Sequence, residues 1–109
     1  RYRTKGRIIK PVFGVAIYRS DGIHVNGPNT RFAGYDIDWI EGEGYIDYVV
    51  ESLPLLEGSY DLSVAIYDYE CLHPYDHQQR MYKFLVQPGA VRERYGLVYM
   101  ASHWEHQRL

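Results

Sequence analysis

Four carboxylates around one tryptophan form the densest group of side chains that could do chemistry. The acids are Asp36, Asp38, Glu41 and Glu43, and they flank Trp39. Hydrolysis of a glycosidic bond requires two carboxyl groups placed across a sugar ring. These acids lie among glycines, and no partner carboxylate is identifiable elsewhere, so a solvated turn is the simpler interpretation. No Ser-His-Asp spacing or phosphate-binding loop is present either. We therefore expect no catalytic residues.

A short histidine-containing segment raises the question of a metal site. His73, Asp76 and His77 carry ligand atoms that zinc and similar ions accept. Pro74 makes the segment a loop, and Cys71 is the only cysteine, so the spacing typical of a zinc site is missing. A solvated loop that touches a ligand is the simpler interpretation. We expect no metal and no cofactor.

Aromatic side chains within polar loops favour recognition of a sugar. Tyr35, Trp39, Tyr75 and Trp104 lie in or beside segments rich in Asp, Asn, His and Gly. Aromatic faces stack on the C–H face of a pyranose, and neighbouring polar groups hydrogen-bond its hydroxyls. A tryptophan in a small β domain also packs in the core, and the sequence leaves both interpretations open.

Composition restricts the class of protein. A chain of 109 residues suits one domain. The formal net charge of -2 and the lack of a basic block argue against nucleic-acid binding. A single cysteine excludes an internal disulfide and favours a reducing compartment. No segment resembles a signal peptide or a membrane span.

Turn and strand signals predict an all-β fold. The alternating apolar run 12–18 leads into Asp21-Gly22, the strongest short-range hairpin signal, and then into a short strand at 23–25. Further strand-like runs lie at 2–10, 44–51, 58–69, 80–86 and 96–100. No window shows sustained helical periodicity. Short strands separated by turns predict an antiparallel β-sandwich, immunoglobulin-like or jelly-roll-like.

Two of these strands share the pattern Val-Ala-Ile-Tyr, at 15–18 and 64–67. Alternation places bulky aliphatics on one face and small residues on the other. The small residues Gly14, Ala16, Ser63 and Ala65 leave a trough walled by Tyr18 and Tyr67, which suits a hydroxylated ligand or the packing of another chain. The other face is expected to supply the core: Phe13, Val15, Ile17, Leu62, Val64, Ile66, Tyr82, Phe84 and Val86.

Several motifs occur in the order seen in one protein family. They are PVFGVAIY at 11–18, Asp21-Gly22, Gly27 with Asn29-Thr30, LPLLEGSYDL at 53–62, Tyr75-Asp76 and FLV at 84–86. In these motifs the chain resembles the C-terminal domain of Wzt-type ATP-binding subunits. Those subunits belong to ABC transporters that export bacterial O-antigen and related polysaccharides.

The resemblance implies a non-catalytic β-sandwich that recognises the non-reducing end of a polysaccharide and couples chain completion to export. It implies a cytoplasmic location, next to the ATPase domain and the membrane subunit of the exporter. It also implies a homodimer, formed through the C-terminal strand near 96–100. We expect residues 1–109 to be a single domain, excised from a longer chain and short of N-terminal strands.

The expected site residues are derived from residue types and their positions in the predicted elements, and not from the resemblance. We expect eight carbohydrate-binding side chains: Tyr18, Tyr35, Asp36, Trp39, Tyr67, His73, Tyr75 and His77. Two alternatives stay open. One is a ligand-free dimerisation or docking domain, and the other is a glycan-cleaving enzyme that uses the acids at 36–43.

Overall fold

The computed structural model describes residues 1–89 and 91–109 and contains only β-strands as regular structure. The strands are β1 (Tyr2–Arg3), β2 (Ile8–Ile9), β3 (Val12–Arg19), β4 (His24–Asn26), β5 (Trp39–Ile40), β6 (Glu43–Gly44), β7 (Gly58–Tyr67) and β8 (Pro74–Val86). The main sheet has the order β4-β3-β7-β8, and β1-β6 and β2-β5 form two-stranded sheets. All pairings between strands are antiparallel, so the prediction of an all-β antiparallel fold is confirmed.

The β3–β4 hairpin closes as its turn residues predict. Gly22 has a φ of 97°, a conformation that glycine adopts without steric cost. Its N–H donates to the carbonyl of Arg19 at 2.8 Å, and the Arg19 N–H donates to the carbonyl of Ile23 at 2.9 Å. The guanidinium of Arg19 also binds the carboxylate of Asp21 at 2.6 Å. The turn is therefore held by its own backbone and by a local ion pair.

The register of β3 against β7 separates two chemically different faces. One face, here called the aliphatic face, pairs Phe13 with Ile66, Val15 with Val64 and Ile17 with Leu62. The other, here called the small-residue face, pairs Gly14 with Ala65 and Ala16 with Ser63. Because side chains alternate along a strand, a shift of one residue would exchange these two sets.

A bulge in β8 sets the position of that strand. The register passes from Leu62 opposite Tyr82 to Val64 opposite Gln78, so extra residues of β8 face Ser63. Arg80 lies in this bulge with a φ of 52°, and its N–H donates to the Ser63 hydroxyl at 2.7 Å. The hydroxyl thus satisfies a backbone donor that the irregular ladder leaves without a strand partner.

The core lies at one end of the main sheet. Ile17, Leu55 and Tyr60 are buried together. Tyr60 is 1% exposed, its ring stacks on Phe84 with 5.4 Å between centroids, and its hydroxyl donates to the carbonyl of Leu56 at 2.7 Å. Burial of an aromatic ring with its hydroxyl paired avoids the cost of an unsatisfied polar group.

The predicted core is only partly correct. Ile17 is buried, and Leu62, Phe84 and Val86 pack against the core cluster. The other four residues of the aliphatic face are half-buried: Phe13, Val15, Val64 and Ile66. Tyr82 was predicted to be buried but is 48% exposed, because it lies on the outermost strand of the main sheet. Leu55 and Leu56, which are buried, were not among the predicted core residues.

Several predicted strands are wrong in extent. The run predicted at 80–86 begins at Pro74, so most of the segment at 73–77, which was predicted as a loop, belongs to β8, and the run at 2–10 is divided into β1 and β2. In the run at 44–51 only β6 is regular, and residues 45–50 form no ladder. In the run at 96–100 a single bridge joins Val98 to Leu55. Apolar alternation alone does not make a strand, because a strand also needs a neighbour to accept its backbone hydrogen bonds. Trp39–Ile40, which was predicted as loop, finds such a neighbour in Ile8–Ile9.

The C-terminal residues 101–109 are all exposed, including the ring of Trp104. The chain measures 68 Å along its longest axis and has a radius of gyration of 17.9 Å. A compact domain of this size has a radius of gyration of about 13 Å, so the chain is elongated.

Candidate functional site: an aromatic groove on the aliphatic face

A large groove opens against the aliphatic face of the main sheet. Its volume is about 960 Å³, and its floor is formed by five half-buried side chains: Phe13, Val15, Leu62, Val64 and Ile66. Tyr2, Trp39, Ile40 and residues 45–48 also line it. The ring of Tyr2 contacts that of Phe13 with 5.6 Å between centroids. The groove is therefore bordered by the main sheet and by strands of both two-stranded sheets.

Exposed aromatic side chains surround this groove, which we call the aromatic groove. They are Tyr35, Trp39, Tyr45, Tyr48 and Tyr82, each at least 48% exposed. An exposed ring keeps a free face for stacking. Five rings around one groove therefore supply a surface suited to flat, partly apolar ligands such as sugars.

Trp39 is held in place by its neighbours. Its backbone pairs with Ile9, and the guanidinium of Arg7 lies 4.3 Å from the centre of its ring. Arg7 in turn binds the carboxylate of Glu41 at 3.1 Å. The indole is therefore positioned by a sheet pairing and a cation–π contact while half of it stays exposed.

Polar side chains on β8 face the same groove. Asp76 is opposite Ile66, Gln78 is opposite Val64, and both line the groove. The hydroxyl of Tyr82 donates to the side-chain oxygen of Gln78. Polar groups beside an apolar floor are what a hydroxylated ligand needs, since its hydroxyls must stay hydrogen-bonded when they leave water.

The corner at Asn29-Thr30 fixes the loop that carries Tyr35. The hydroxyl of Thr30 accepts a hydrogen bond from the Phe13 N–H at 3.1 Å, and the Asn29 side chain accepts one from the Phe32 N–H at 2.9 Å. The Tyr35 N–H donates to the carbonyl of Thr30 at 2.9 Å. Hydrogen bonds from the backbone to the side chains of Asn29 and Thr30 therefore hold this corner.

The small-residue face carries a second candidate surface. Gly14, Ala16 and Ala65 are half-buried there, whereas Ser63 is buried. Tyr67 lies at one end, with its ring 6.0 Å from that of His77. At the other end Tyr18 stacks on His24 with 4.7 Å between ring centroids. The register thus brings the four small residues together between two aromatic pairs.

A buried carboxylate closes the Tyr18 end of that surface. Asp61 is 4% exposed and accepts hydrogen bonds from Arg80 at 2.8 Å and from Lys83 at 3.3 Å. These bonds, that from Arg80 above all, hold the pKa of the Asp61 carboxyl below its ordinary value. The guanidinium of Arg80 also lies 5.5 Å from the centre of the Tyr18 ring. Arg80 thus contacts both the Asp61 carboxylate on β7 and the Tyr18 ring on β3.

The eight predicted site residues do not share one surface. Tyr35 and Trp39 line the aromatic groove, whereas Tyr18, Tyr67 and His77 belong to the small-residue face. The other three are Asp36, beside a small pocket next to Lys10 and Tyr69, and His73 and Tyr75, which are exposed near the β7–β8 turn.

Sequence reasoning missed part of the aromatic groove. Tyr82 was predicted as a core residue, and Tyr45, Tyr48 and Gln78 were not among the predicted site residues. The available signal was the polar pair Asp76 and Gln78 at alternate positions of β8, which is unusual on a strand face opposite aliphatic residues.

Two of the four acids around Trp39 form ion pairs with arginines. Glu43 binds Arg3 at 2.7 Å, and Glu41 binds Arg7 at 3.1 Å. In residues 1–89 and 91–109, no three His, Cys, Asp or Glu side chains are grouped closely enough to hold a metal ion. The same residues contain no helix with the length and apolar character of a membrane span.

Comparison with known proteins identifies the family. Among curated proteins, no sequence matches this chain. A solved structure described as the crystal structure of the C-terminal domain of Wzt superposes with a TM-score of 0.79 at 19% identity, over 94% of this chain and 64% of that one. The chain thus spans about 64% of the length of that structure, and the likeness shows a shared fold. The family model for the Wzt C-terminal domain matches residues 1–100. The chain belongs to the Wzt C-terminal domain family.

Proposed function

We propose that this domain is a non-catalytic carbohydrate-binding domain that recognises the non-reducing end of an O-antigen-type polysaccharide for export by an ABC transporter. The aromatic groove is the observation that carries the proposal, because it combines five exposed rings with Asp76 and Gln78. Membership of the Wzt C-terminal domain family supports the export context. In that context the domain works in the cytoplasm, attached to the ATPase domain and near the membrane subunit.

The chemistry of the groove favours weak, reversible binding. An aromatic contact contributes about 0.5–1.5 kcal/mol beyond its buried area, and hydrogen bonds to sugar hydroxyls largely replace those to water. A few stacked sugars therefore give modest affinity at a single site. Two linked sites raise the apparent affinity only if both reach one polymer or one array of polymers.

We also propose that the domain itself is a β-sandwich and that it acts as a homodimer, with the C-terminal segment at the interface. The segment near Val98 pairs with Leu55 of its own chain, and residues 101–109 are all exposed, Trp104 among them. The long β8 lies at the edge of the main sheet and exposes Met81 and Leu85. An exposed apolar edge of this kind is usually covered by another strand.

The ligand-free docking alternative has one observation in its favour. The half-buried aliphatic floor of the groove would also accept the side chains of another polypeptide. The ring of polar and aromatic groups around that floor favours the glycan instead, because a protein-covered core face carries few carboxylates.

Calorimetric titration with purified O-polysaccharide from the source organism tests the proposal, with glycan length measured after incubation. We expect saturable binding and no shortening of the glycan. A shortened glycan would support the enzyme alternative, and the absence of any heat of binding would support the docking alternative.

A further inference from the structure

Charged side chains are distributed unevenly around the aromatic groove. Two carboxylates, Asp47 and Asp76, line it. The only basic residue among its described lining residues is Arg1. Within the described part of the chain, neither carboxylate makes an ion pair. The side chains that line the groove therefore carry two carboxylates against one guanidinium, which leaves a net negative charge.

Two further cations beside groove-lining residues are already in ion pairs. Arg7 lies over the Trp39 ring, but its guanidinium binds Glu41 at 3.1 Å. Arg3, on the strand beside the groove, binds Glu43 at 2.7 Å. A carboxylate on a sugar would have to compete with these pairs for a partner.

The remaining strongly held cations lie on other surfaces. Arg31 donates to the carbonyl of Tyr69 at 2.7 Å, and Arg80 and Lys83 both bind Asp61 on the small-residue face. None of the three is among the described residues that line the groove. Apart from Arg1, the fold thus places its basic groups outside the described lining of the surface that would hold the glycan.

Resting on the function proposed above, we infer that the groove selects a neutral glycan and disfavours one that carries uronic acid groups. Carboxylates accept hydrogen bonds from sugar hydroxyls, so Asp47 and Asp76 suit an uncharged hexose polymer. The same two charges repel an anionic sugar, whose carboxylate would lose part of its hydration and find only Arg1 as a cationic partner among the described lining residues.

Comparison of a neutral polysaccharide with its oxidised form isolates the effect of ligand charge on binding. An array of bacterial O-polysaccharides, half of them neutral and half containing uronic acids, first identifies a glycan that binds. We expect the bound polysaccharides to be neutral. The primary hydroxyls of one of them are then oxidised to carboxylates. We expect the oxidised polymer to bind about two- to fivefold more weakly for each apposed charge, the range measured for exposed charge pairs.

Two controls separate charge from the loss of a hydroxyl. Raising the salt from about 0.02 M to about 0.5 M should reduce the penalty for the oxidised polymer, because screening weakens repulsion between exposed charges. The double variant Asp47→Asn/Asp76→Asn should likewise reduce the loss of affinity that oxidation of the polymer causes. The variant Glu70→Gln, which changes an exposed acid outside the groove, should leave it unchanged.

The outcomes distinguish this inference from the proposed function. Binding of uronic-acid polymers in preference to neutral ones would overturn the inference and leave carbohydrate binding intact. A penalty that neither salt nor the double variant reduces would also overturn it. If no polysaccharide on the array binds, both the inference and the proposed function fail.

Discussion

The carboxylate of Asp61 on β7 binds the guanidinium of Arg80, a residue of the β8 bulge with a φ of 52°. Few residues other than glycine adopt this conformation, so the surrounding contacts must stabilise it. The Arg80 N–H is held by Ser63 and its side chain by Asp61, and both partners are buried on β7. The bulge is therefore fixed from the neighbouring strand.

Stability should depend on pH through Asp61. Its folded-state pKa is lowered, chiefly by the hydrogen bond from Arg80, so its contribution is present above the unfolded pKa of about 3.9 and is lost as pH falls through the folded value. We expect the Tm to fall between pH 5 and pH 2, and to fall less in Asp61→Asn, whose Tm at pH 7 is already lower.

Thermal unfolding followed by circular dichroism at several pH values measures this effect. Glu70→Gln is the control, because Glu70 makes no ion pair among the described residues. Asp61→Asn with the same acid-induced drop in Tm as the parent chain would contradict the assignment.

Two substitutions of Tyr60 should separate the contributions of ring packing and of hydrogen bonding to the stability of the core. Tyr60→Phe keeps the stack on Phe84 but loses the bond to the Leu56 carbonyl, which should cost about 0.5–1.5 kcal/mol. Tyr60→Ala also leaves a cavity and should cost about 3–5 kcal/mol. Urea denaturation measures both, and equal losses would show that the ring contributes nothing beyond its hydroxyl.

Buried and groove-lining isoleucines should differ in their contributions to stability. Ile17 is 8% exposed, and Ile17→Ala should cost about 2–5 kcal/mol. Ile66 is only half-buried on the groove floor, so Ile66→Ala should cost less than Ile17→Ala. Urea denaturation of the two variants makes the comparison. If Ile66→Ala is the more destabilising, the groove is closed in solution.

Removal of the indole should weaken glycan binding without unfolding the protein. Trp39 is 50% exposed, so Trp39→Ala should leave the Tm nearly unchanged and reduce affinity about two- to tenfold, the equivalent of one aromatic contact. Calorimetric titration measures the affinity. Tyr95→Ala, at an exposed tyrosine outside the groove, is the matched control.

Tyr67→Ala tests the small-residue face in the same titration. Normal binding by Trp39→Ala together with weak binding by Tyr67→Ala would move the site to that face. Normal binding by both variants would place the glycan on neither surface.

Assembly should depend on the exposed C-terminal residues. We expect light scattering to show a dimer at high micromolar concentration and a smaller mass after deletion of residues 101–109. Trp104→Ala alone should weaken the dimer, because an exposed tryptophan is a strong candidate for an interface anchor. A monomeric parent chain would contradict the assembly proposal.

Local features of this chain could be predicted from sequence because neighbouring residues cause them. The β3–β4 hairpin depends on the positive φ of Gly22, and the corner at 29–30 depends on side chains that bond the adjacent backbone. The two faces of β3 and β7 follow from alternation alone. The family was also recognisable, since its motifs lie in these local elements.

Only the tertiary structure decided which apolar runs find a strand partner and which aromatic rings share a surface. Trp39 belongs to a strand because Ile9, far away in sequence, pairs with it. Residues 45–50 have no such neighbour, and residues 45–48 instead line the groove. The bulge at Arg80 realigns the part of β8 that carries Asp76 and Gln78 against β7. Such pairings depend on long-range hydrogen bonds and burial, which residue spacing along the chain does not specify.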